Sequence, residues 1–121
     1  MQGKKIIRLA YGKRGMNLPL NPDWNITVVE PKRVAPLDDP AAAVTEALQH
    51  PVSGPTLKEM VRPGDKVGIV FNDITRPTPN DLIIHAILSE LNHVSKDAVT
   101  LFNALGTHRP NTEEELRDML G

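Results

Sequence analysis

The sequence predicts an α/β fold, and three consecutive segments in its second half carry this prediction. Residues Val67–Phe71 form an apolar run with the length and β-branched content of a buried strand. Asp81–Val94 has the apolar spacing of a helix, and Ala98–Phe102 is a second strand-like run. Two buried strands joined by a helix make a βαβ unit with parallel strands and a right-handed crossover. The loops that follow the two strands are therefore expected at the same edge of the sheet.

The first thirty residues predict a small antiparallel β-meander. Lys5–Tyr11 is strand-like, Gly12–Gly15 offers a glycine-containing turn, and Met16–Leu20 is the return strand. Asn21–Asp23 gives a second turn, and Ile26–Glu30 is predicted as a third strand. The two glycines are interpreted as turn residues rather than a phosphate-binding loop, because phosphate loops open a helix and no helix start follows them.

Helix-start signals define the other elements. Asp39 followed by Pro40 predicts an N-cap and first helical residue for a helix that ends at Gln49. Thr56–Val61 reads as a short helix. Thr112, with Glu115 three residues later, forms a capping box for a last helix.

These elements together predict a single α/β domain over residues 1–121. The β-meander leads into a Rossmann-like βαβ unit with a mostly parallel sheet. Ligands bind such sheets at the carboxyl ends of the strands, and this edge is therefore where we expect the functional site.

Composition and charge exclude several classes of function. The formal net charge of −1 argues against nucleic acid or an anionic membrane surface as partner. No apolar run approaches the roughly 20 residues of a membrane helix, and the N-terminus does not resemble a signal peptide. The chain has no cysteine, which excludes disulfides, zinc–thiolate sites and cysteine nucleophiles. A cytoplasmic location is the default expectation.

Two polar loops follow the predicted parallel strands. The first, Asp73–Pro79, contains Arg76, whose planar guanidinium suits two-point binding of a carboxylate or phosphate. Asp73 either orients a neighbouring arginine or histidine or simply pairs with the arginine of its own loop. The second loop, Gly106–Pro110, contains His108, and an unperturbed imidazole pKa of about 6.5 suits proton transfer near neutrality. The remaining histidines lack a recognisable partner pattern and are interpreted as surface or helix-end residues: His50, His85 and His93.

These loops carry a family resemblance. The pairing of Asp73-Ile-Thr-Arg-Pro-Thr-Pro with Gly106-Thr-His-Arg-Pro resembles the N-terminal domain of the nickel-pincer-dependent lactate racemase family. The Tyr11-Gly12 turn and the Pro63–Val67 approach to the first core strand extend the resemblance along essentially the whole chain. Members of that family racemise or epimerise 2-hydroxy acids with a nickel pincer nucleotide as cofactor.

The resemblance implies roles for three residues. His108 matches the first of two acid/base histidines, Arg76 matches the arginine that holds the substrate carboxylate, and Asp73 matches a further polar position in the substrate-binding loop. The family's second histidine, its cofactor-anchoring lysine and its nickel-binding histidine lie beyond the equivalent of Gly121. No metal or cofactor ligand is therefore assigned here. The chain is expected to be the N-terminal part of a longer two-domain isomerase and to be inactive alone. Its expected partners are the rest of the polypeptide and a small 2-hydroxy acid, and its oligomeric state is open.

Two alternatives differ from this expectation in kind. In the first, the chain is a stand-alone domain in which Arg76 and Arg109 bind a small anion without catalysis. In the second, it is an interaction domain that oligomerises through the apolar face of its last helix, formed by Leu116, Met119 and Leu120.

Overall fold

An antiparallel β-hairpin begins the part of the chain that the computed structural model describes, residues 5–121. Strand β1 (Ile6–Leu9) pairs with β2 (Met16–Pro19). Gly12 and Gly15 connect the strands with φ angles of 53° and 70°, in the left-handed region that glycine adopts without a Cβ clash. This confirms their interpretation as turn residues. The hairpin belongs to a compact unit that ends at Ala35.

The predicted third strand of the meander is wrong. Residues 26–30 have no regular secondary structure, and Val29 is 88% exposed. Strand propensity reflects packing and pairing more than an intrinsic backbone preference. Within the described residues, the β-branched run at 26–30 pairs with no strand, and its composition alone does not keep it in a sheet.

The second compact unit, Pro36–Gly121, contains the predicted βαβ unit. Strand β3 (Val67–Asn72) pairs with β4 (Val99–Ala104) in parallel. Helix α3 (Asn80–Glu90) connects them and ends four residues before the predicted Val94. The α/β class and the parallel pairing are confirmed. Both strands run slightly further toward the polar loops than predicted.

Three further helices belong to this compact unit and lie at positions that the sequence signals predicted. Each has a side chain that caps its N-terminus. Asp39 accepts a hydrogen bond from the Ala42 N–H at 2.9 Å. Thr56 and Thr112 each form a complete capping box. These helices are α1 (Pro40–Gln49), α2 (Leu57–Met60) and α4 (Glu113–Leu120).

The core of the second unit lies between the sheet and α3. Its buried apolar residues are Phe71, Ile84, Leu91 and Val94. Both α1 and α4 pack against α3. The opposite face of the sheet is open, since Val70 on β3 is 70% exposed. Among residues 5–121, no helix combines the length and the apolar character required to cross a membrane.

The packing of α4 bears on the interaction hypothesis. Three apolar side chains were proposed to bind another copy of the chain, and they are half-buried within the unit: Leu116, Met119 and Leu120. Helix α4 already packs on α3. This face therefore contributes to the folding of the unit.

Candidate functional site

The two loops identified in the sequence leave the same edge of the sheet. Asp73 follows β3 directly, and His108 lies four residues after the end of β4. Because β3 and β4 are parallel and paired in register, their carboxyl ends lie side by side. This arrangement brings residues that are 35 positions apart into contact.

Asp73 and His108 form a close pair. The Nδ1 atom of His108 lies 2.5 Å from Oδ2 of Asp73. The Asp73 side chain is 4% exposed, whereas that of His108 is 45% exposed. The carboxylate is therefore the buried support of an imidazole that remains accessible to a ligand.

The charge of Asp73 determines which atom carries the shared proton. Thr75 donates hydrogen bonds to Asp73 Oδ1 from its hydroxyl at 2.7 Å and from its backbone N–H at 3.3 Å. The side-chain bond from Thr75, followed by that from His108, lowers the pKa of the Asp73 carboxyl below its ordinary value. An ionised carboxylate only accepts hydrogen bonds, so Nδ1 of His108 donates to it. Nε2 is then the nitrogen available for proton exchange.

Polar side chains at the end of β3 fix the first loop. The Asn72 amide donates to the Thr78 hydroxyl at 2.8 Å, across the loop. The Asn80 amide, on a residue that is 5% exposed, donates to the Asn72 carbonyl at 3.4 Å. The Arg76 N–H donates to the Asp73 carbonyl at 3.2 Å and closes a turn. The loop therefore has a defined shape, although it contains no regular secondary structure.

Arg76 projects from this loop as an exposed cation. Among residues 5–121, its guanidinium makes no hydrogen bond and no ion pair. Asp73 pairs with His108 rather than with Arg76, which decides between the two partners considered for the aspartate. Arg76 is consequently available to bind an anion at the edge where His108 lies.

Arg109 is engaged in a different way. Its Nη1 and Nη2 atoms donate to Oε2 and Oε1 of Glu115 at 2.9 and 2.7 Å. Glu115 also accepts from the Asn111 amide and the Thr112 N–H at 3.2 and 2.8 Å. The bond from Arg109, followed by those from Thr112 and Asn111, holds the pKa of Glu115 far below its ordinary value. This two-point pair ties the His108 loop to the start of α4, so Arg109 is not the second anion-binding arginine of the stand-alone hypothesis.

The other three histidines lie outside the Asp73–His108 pair. His93 Nε2 lies 2.8 Å from the Val61 carbonyl and joins the region after α3 to the end of α2. His85 is exposed on α3, as predicted, and His50 contacts the Glu46 carbonyl at the end of α1.

Sequence reasoning missed two participants in the site. One of them is Thr75. The side chain of an aspartate often accepts a hydrogen bond from the backbone N–H two residues later, so the spacing of Asp73 and Thr75 was the available signal. The other is the pairing of Glu115 with Arg109. Glu115 was predicted as part of a helix cap, but its contact with Arg109 depends on the conformation of the loop between the two residues.

Metal-ligating side chains do not form a cluster in the part of the chain that the structure describes. Within residues 5–121, no group of three or more histidine, cysteine, aspartate or glutamate side chains is placed to hold a metal ion. The residues described here therefore do not fit a complete metal centre.

This α/β unit places an Asp–His pair, together with an arginine that has no partner within residues 5–121, at the carboxyl edge of parallel strands. Such a scaffold suits acid/base chemistry on a small anion. The chain matches the family model of the lactate racemase N-terminal domain over residues 11–121, and it belongs to that family. It is similar to a lactate racemase of Lactiplantibacillus plantarum, with 35% identity over 79 residues. The aligned segment covers 64% of this chain and 19% of that relative, so the similarity involves a minor part of the relative's length.

Proposed function

We propose that this chain is the N-terminal part of a longer, two-domain racemase or epimerase of 2-hydroxy acids such as lactate. The observation that carries the proposal is the buried Asp73 carboxylate bound to the accessible His108. Arg76, whose guanidinium has no partner among the described residues, lies in the same loop as Asp73. Membership of the lactate racemase N-terminal domain family supports the same reaction class. The organisation of residues 1–121 as one domain of that enzyme stays a prediction, as does a cytoplasmic location.

The substrate of this reaction matches the two accessible groups. A 2-hydroxy acid carries a carboxylate next to the carbon that bears its hydroxyl. Arg76 binds the carboxylate through its planar fork, and this contact orients the molecule. Nε2 of His108 takes the hydroxyl proton when the alcohol is oxidised and returns it when the alcohol is re-formed. The Asp73 carboxylate stabilises the imidazolium that exists between these steps.

The cofactor that the family resemblance implies, a nickel pincer nucleotide, would supply the redox chemistry at the substrate carbon. No residue of this chain is assigned to it, and residues 5–121 hold no group of three or more metal-ligating side chains. We assign its anchoring lysine, its nickel ligand and the second acid/base histidine to the remainder of the polypeptide. The isolated chain is then inactive as a racemase.

Replacement of His108 tests this function. In the complete enzyme, loaded with cofactor, His108→Ala should lower the turnover of lactate racemisation by a factor of roughly 10²–10⁴, because the general acid/base is lost. His85→Ala is the matched control, since His85 is an exposed histidine on α3 outside the Asp73–His108 pair. Unchanged turnover in the His108 variant would remove this residue from the reaction.

The exposed guanidinium of Arg76 also favours a second candidate, small-anion binding without catalysis. Under this alternative the 121-residue chain binds lactate or phosphate by itself, and His108→Ala leaves turnover in any longer polypeptide unchanged. Titration of the chain with each anion, followed by NMR, measures the binding. Binding together with loss of turnover in the His108 variant favours the racemase.

A further inference from the structure

We propose that Thr75 is a positioning residue for His108 and acts through the Asp73 carboxylate, whose Oδ2 atom it directs toward the imidazole. This inference rests on the proposed acid/base function of His108 and adds a residue to it. Thr75 lies in the loop between β3 and α3 and touches Asp73 rather than the imidazole itself.

The two oxygens of Asp73 have separate partners. Oδ1 accepts both bonds from Thr75, whereas Oδ2 accepts the bond from His108. The terminal torsion of an aspartate side chain has a broad energy profile, so the side chain alone does not fix the direction of its oxygens. The two donors of Thr75 fix that direction. Since Oδ1 is occupied by them, Oδ2 is the oxygen presented to Nδ1.

Burial makes this support important. Asp73 is 3% exposed, so water has little access to replace a lost donor. If the hydroxyl is removed, Oδ1 retains only the longer bond from the Thr75 N–H, at 3.3 Å. A buried carboxylate with too few donors is destabilised as an anion, and it responds by rotating toward other donors or by binding a proton.

Rotation changes the state of His108 near neutral pH, where the carboxyl stays ionised. A rotated carboxylate no longer aligns with Nδ1, so the imidazole proton is no longer held on that nitrogen and can move to Nε2. The Thr75 hydroxyl makes the largest contribution to keeping the Asp73 pKa low, ahead of His108, and this agrees with its place in the geometry. Thr75 thus selects the tautomer in which Nε2 is free to accept the substrate proton.

The same contacts permit a simpler role, in which Thr75 only shapes the loop. The two roles differ in what they predict for Thr78, the other threonine of this loop. The Thr78 hydroxyl accepts from Asn72 across the loop and makes no bond to Asp73. A purely structural contribution would be shared by both threonines, whereas a positioning contribution belongs to Thr75 alone.

Three variants of the 121-residue chain separate these roles: Thr75→Val, Thr75→Ser and Thr78→Val. Valine keeps the branched shape and removes the hydroxyl, and serine keeps the hydroxyl. Thr75 is itself exposed, so neither change disturbs the apolar core. If the valine variant does not fold, Thr75→Ala compared with Thr75→Ser gives the same test.

The readouts are the NMR titration of the Asp73 carboxyl carbon and the ring ¹⁵N shifts of His108, recorded at a pH high enough for the ring to be neutral. We expect the parent, Thr75→Ser and Thr78→Val to show one Nδ1–H tautomer and a low Asp73 pKa. Thr75→Val should raise the Asp73 pKa toward its ordinary value near 3.8 and mix the tautomers. Equal spectra for Thr75→Val and the parent, or equal changes in both valine variants, would overturn the proposal.

Kinetics of the complete enzyme distinguish this inference from the proposed function. Thr75→Val should lower turnover by roughly 10–100-fold, the range found for hydrogen-bonding groups that orient metal-ligating side chains, with little change in KM. Thr75→Ser, which keeps the hydroxyl, should retain most of the turnover of the parent enzyme. If His108→Ala leaves turnover unchanged, the proposed function fails even when the tautomer effect is found. If His108→Ala abolishes turnover and Thr75→Val does not lower it, the Thr75 inference alone fails.

Discussion

Arg109 binds Glu115 through both terminal nitrogens of its guanidinium, and this pair joins the His108 loop to the first turn of α4. The planar fork of arginine matches a carboxylate in this two-point geometry. Glu115 is only 20% exposed at its side chain, while Arg109 is 64% exposed. The arginine end of the pair is therefore exposed to solvent, and the glutamate end is largely buried. The capping box of α4 also holds the glutamate in place.

The lowered pKa of Glu115 predicts that the folded state loses stability in acid. Its pKa in the folded chain is lowered from an ordinary 4.5, so the stability that it contributes is fully present above about pH 4.5 and is lost as the pH falls toward the folded-state pKa. Glu115→Gln should be less stable than the parent at about pH 6 and should lose less stability between about pH 6 and about pH 3. Thermal unfolding across this range, followed by circular dichroism, measures both effects.

Two features make the acid prediction specific. Asp73 also has a lowered pKa, so the Glu115 variant should keep part of the acid sensitivity. Glu114→Gln is the control, because Glu114 is an exposed glutamate of the same helical turn. Parallel stability curves for Glu115→Gln and the parent would show that the ion pair does not stabilise the folded state.

The different environments of the two arginines predict different effects on anion binding. Arg76→Ala should weaken lactate binding about 10–100-fold, the range expected when a hydrogen-bonded charged partner is lost. Arg76→Lys should recover only part of the affinity, since lysine restores the charge without the fork. Arg109→Ala should mainly lower the thermal unfolding temperature. NMR titration with lactate and thermal unfolding of the three variants make the comparison, and equal loss of affinity in both alanine variants would contradict it.

The position of the site could be predicted from the sequence because it follows from topology. Two apolar runs separated by a helix predict parallel strands, and parallel strands place their following loops at one edge. The approach of Asp73 to His108 depends on nothing more than this rule and the short distance of each residue from its strand. The capping signals at Asp39 and Thr112 were equally local, and both helices begin where they indicate.

Features that depend on three-dimensional context could not be predicted in the same way. The run at 26–30 has strand composition, but a strand also requires a neighbour with which to pair. Arg109 and Arg76 have the same chemistry in sequence, and only the conformation of residues 106–111 brings one of them to Glu115. The partner of Asp73 was likewise open, because an arginine in the same loop and a histidine in the next were both possible.

Removal of the N-cap hydroxyl of α4 should lower the stability of the folded chain without changing its net charge. The Thr112 hydroxyl accepts from the Glu115 N–H at 3.2 Å, and Thr112→Ala should lower the free energy of unfolding by about 1 kcal/mol. Thr112→Ser keeps the hydroxyl and should remain close to the parent. Chemical denaturation at neutral pH measures the difference, and equal stability of the alanine and serine variants would exclude a capping contribution.

Replacement of Asp73 tests the role of the buried carboxylate in the proposed racemase reaction. Asp73→Asn keeps the size of the side chain and removes its charge, so it no longer stabilises an imidazolium at His108. In the complete enzyme, turnover should fall by a factor of roughly 10²–10⁴, while KM for lactate changes much less because Arg76 is untouched. Asp81→Asn, at an exposed aspartate in the first turn of α3, is the control. A large rise in KM with unchanged turnover would instead place Asp73 in substrate binding, and His108 would then act without its carboxylate partner.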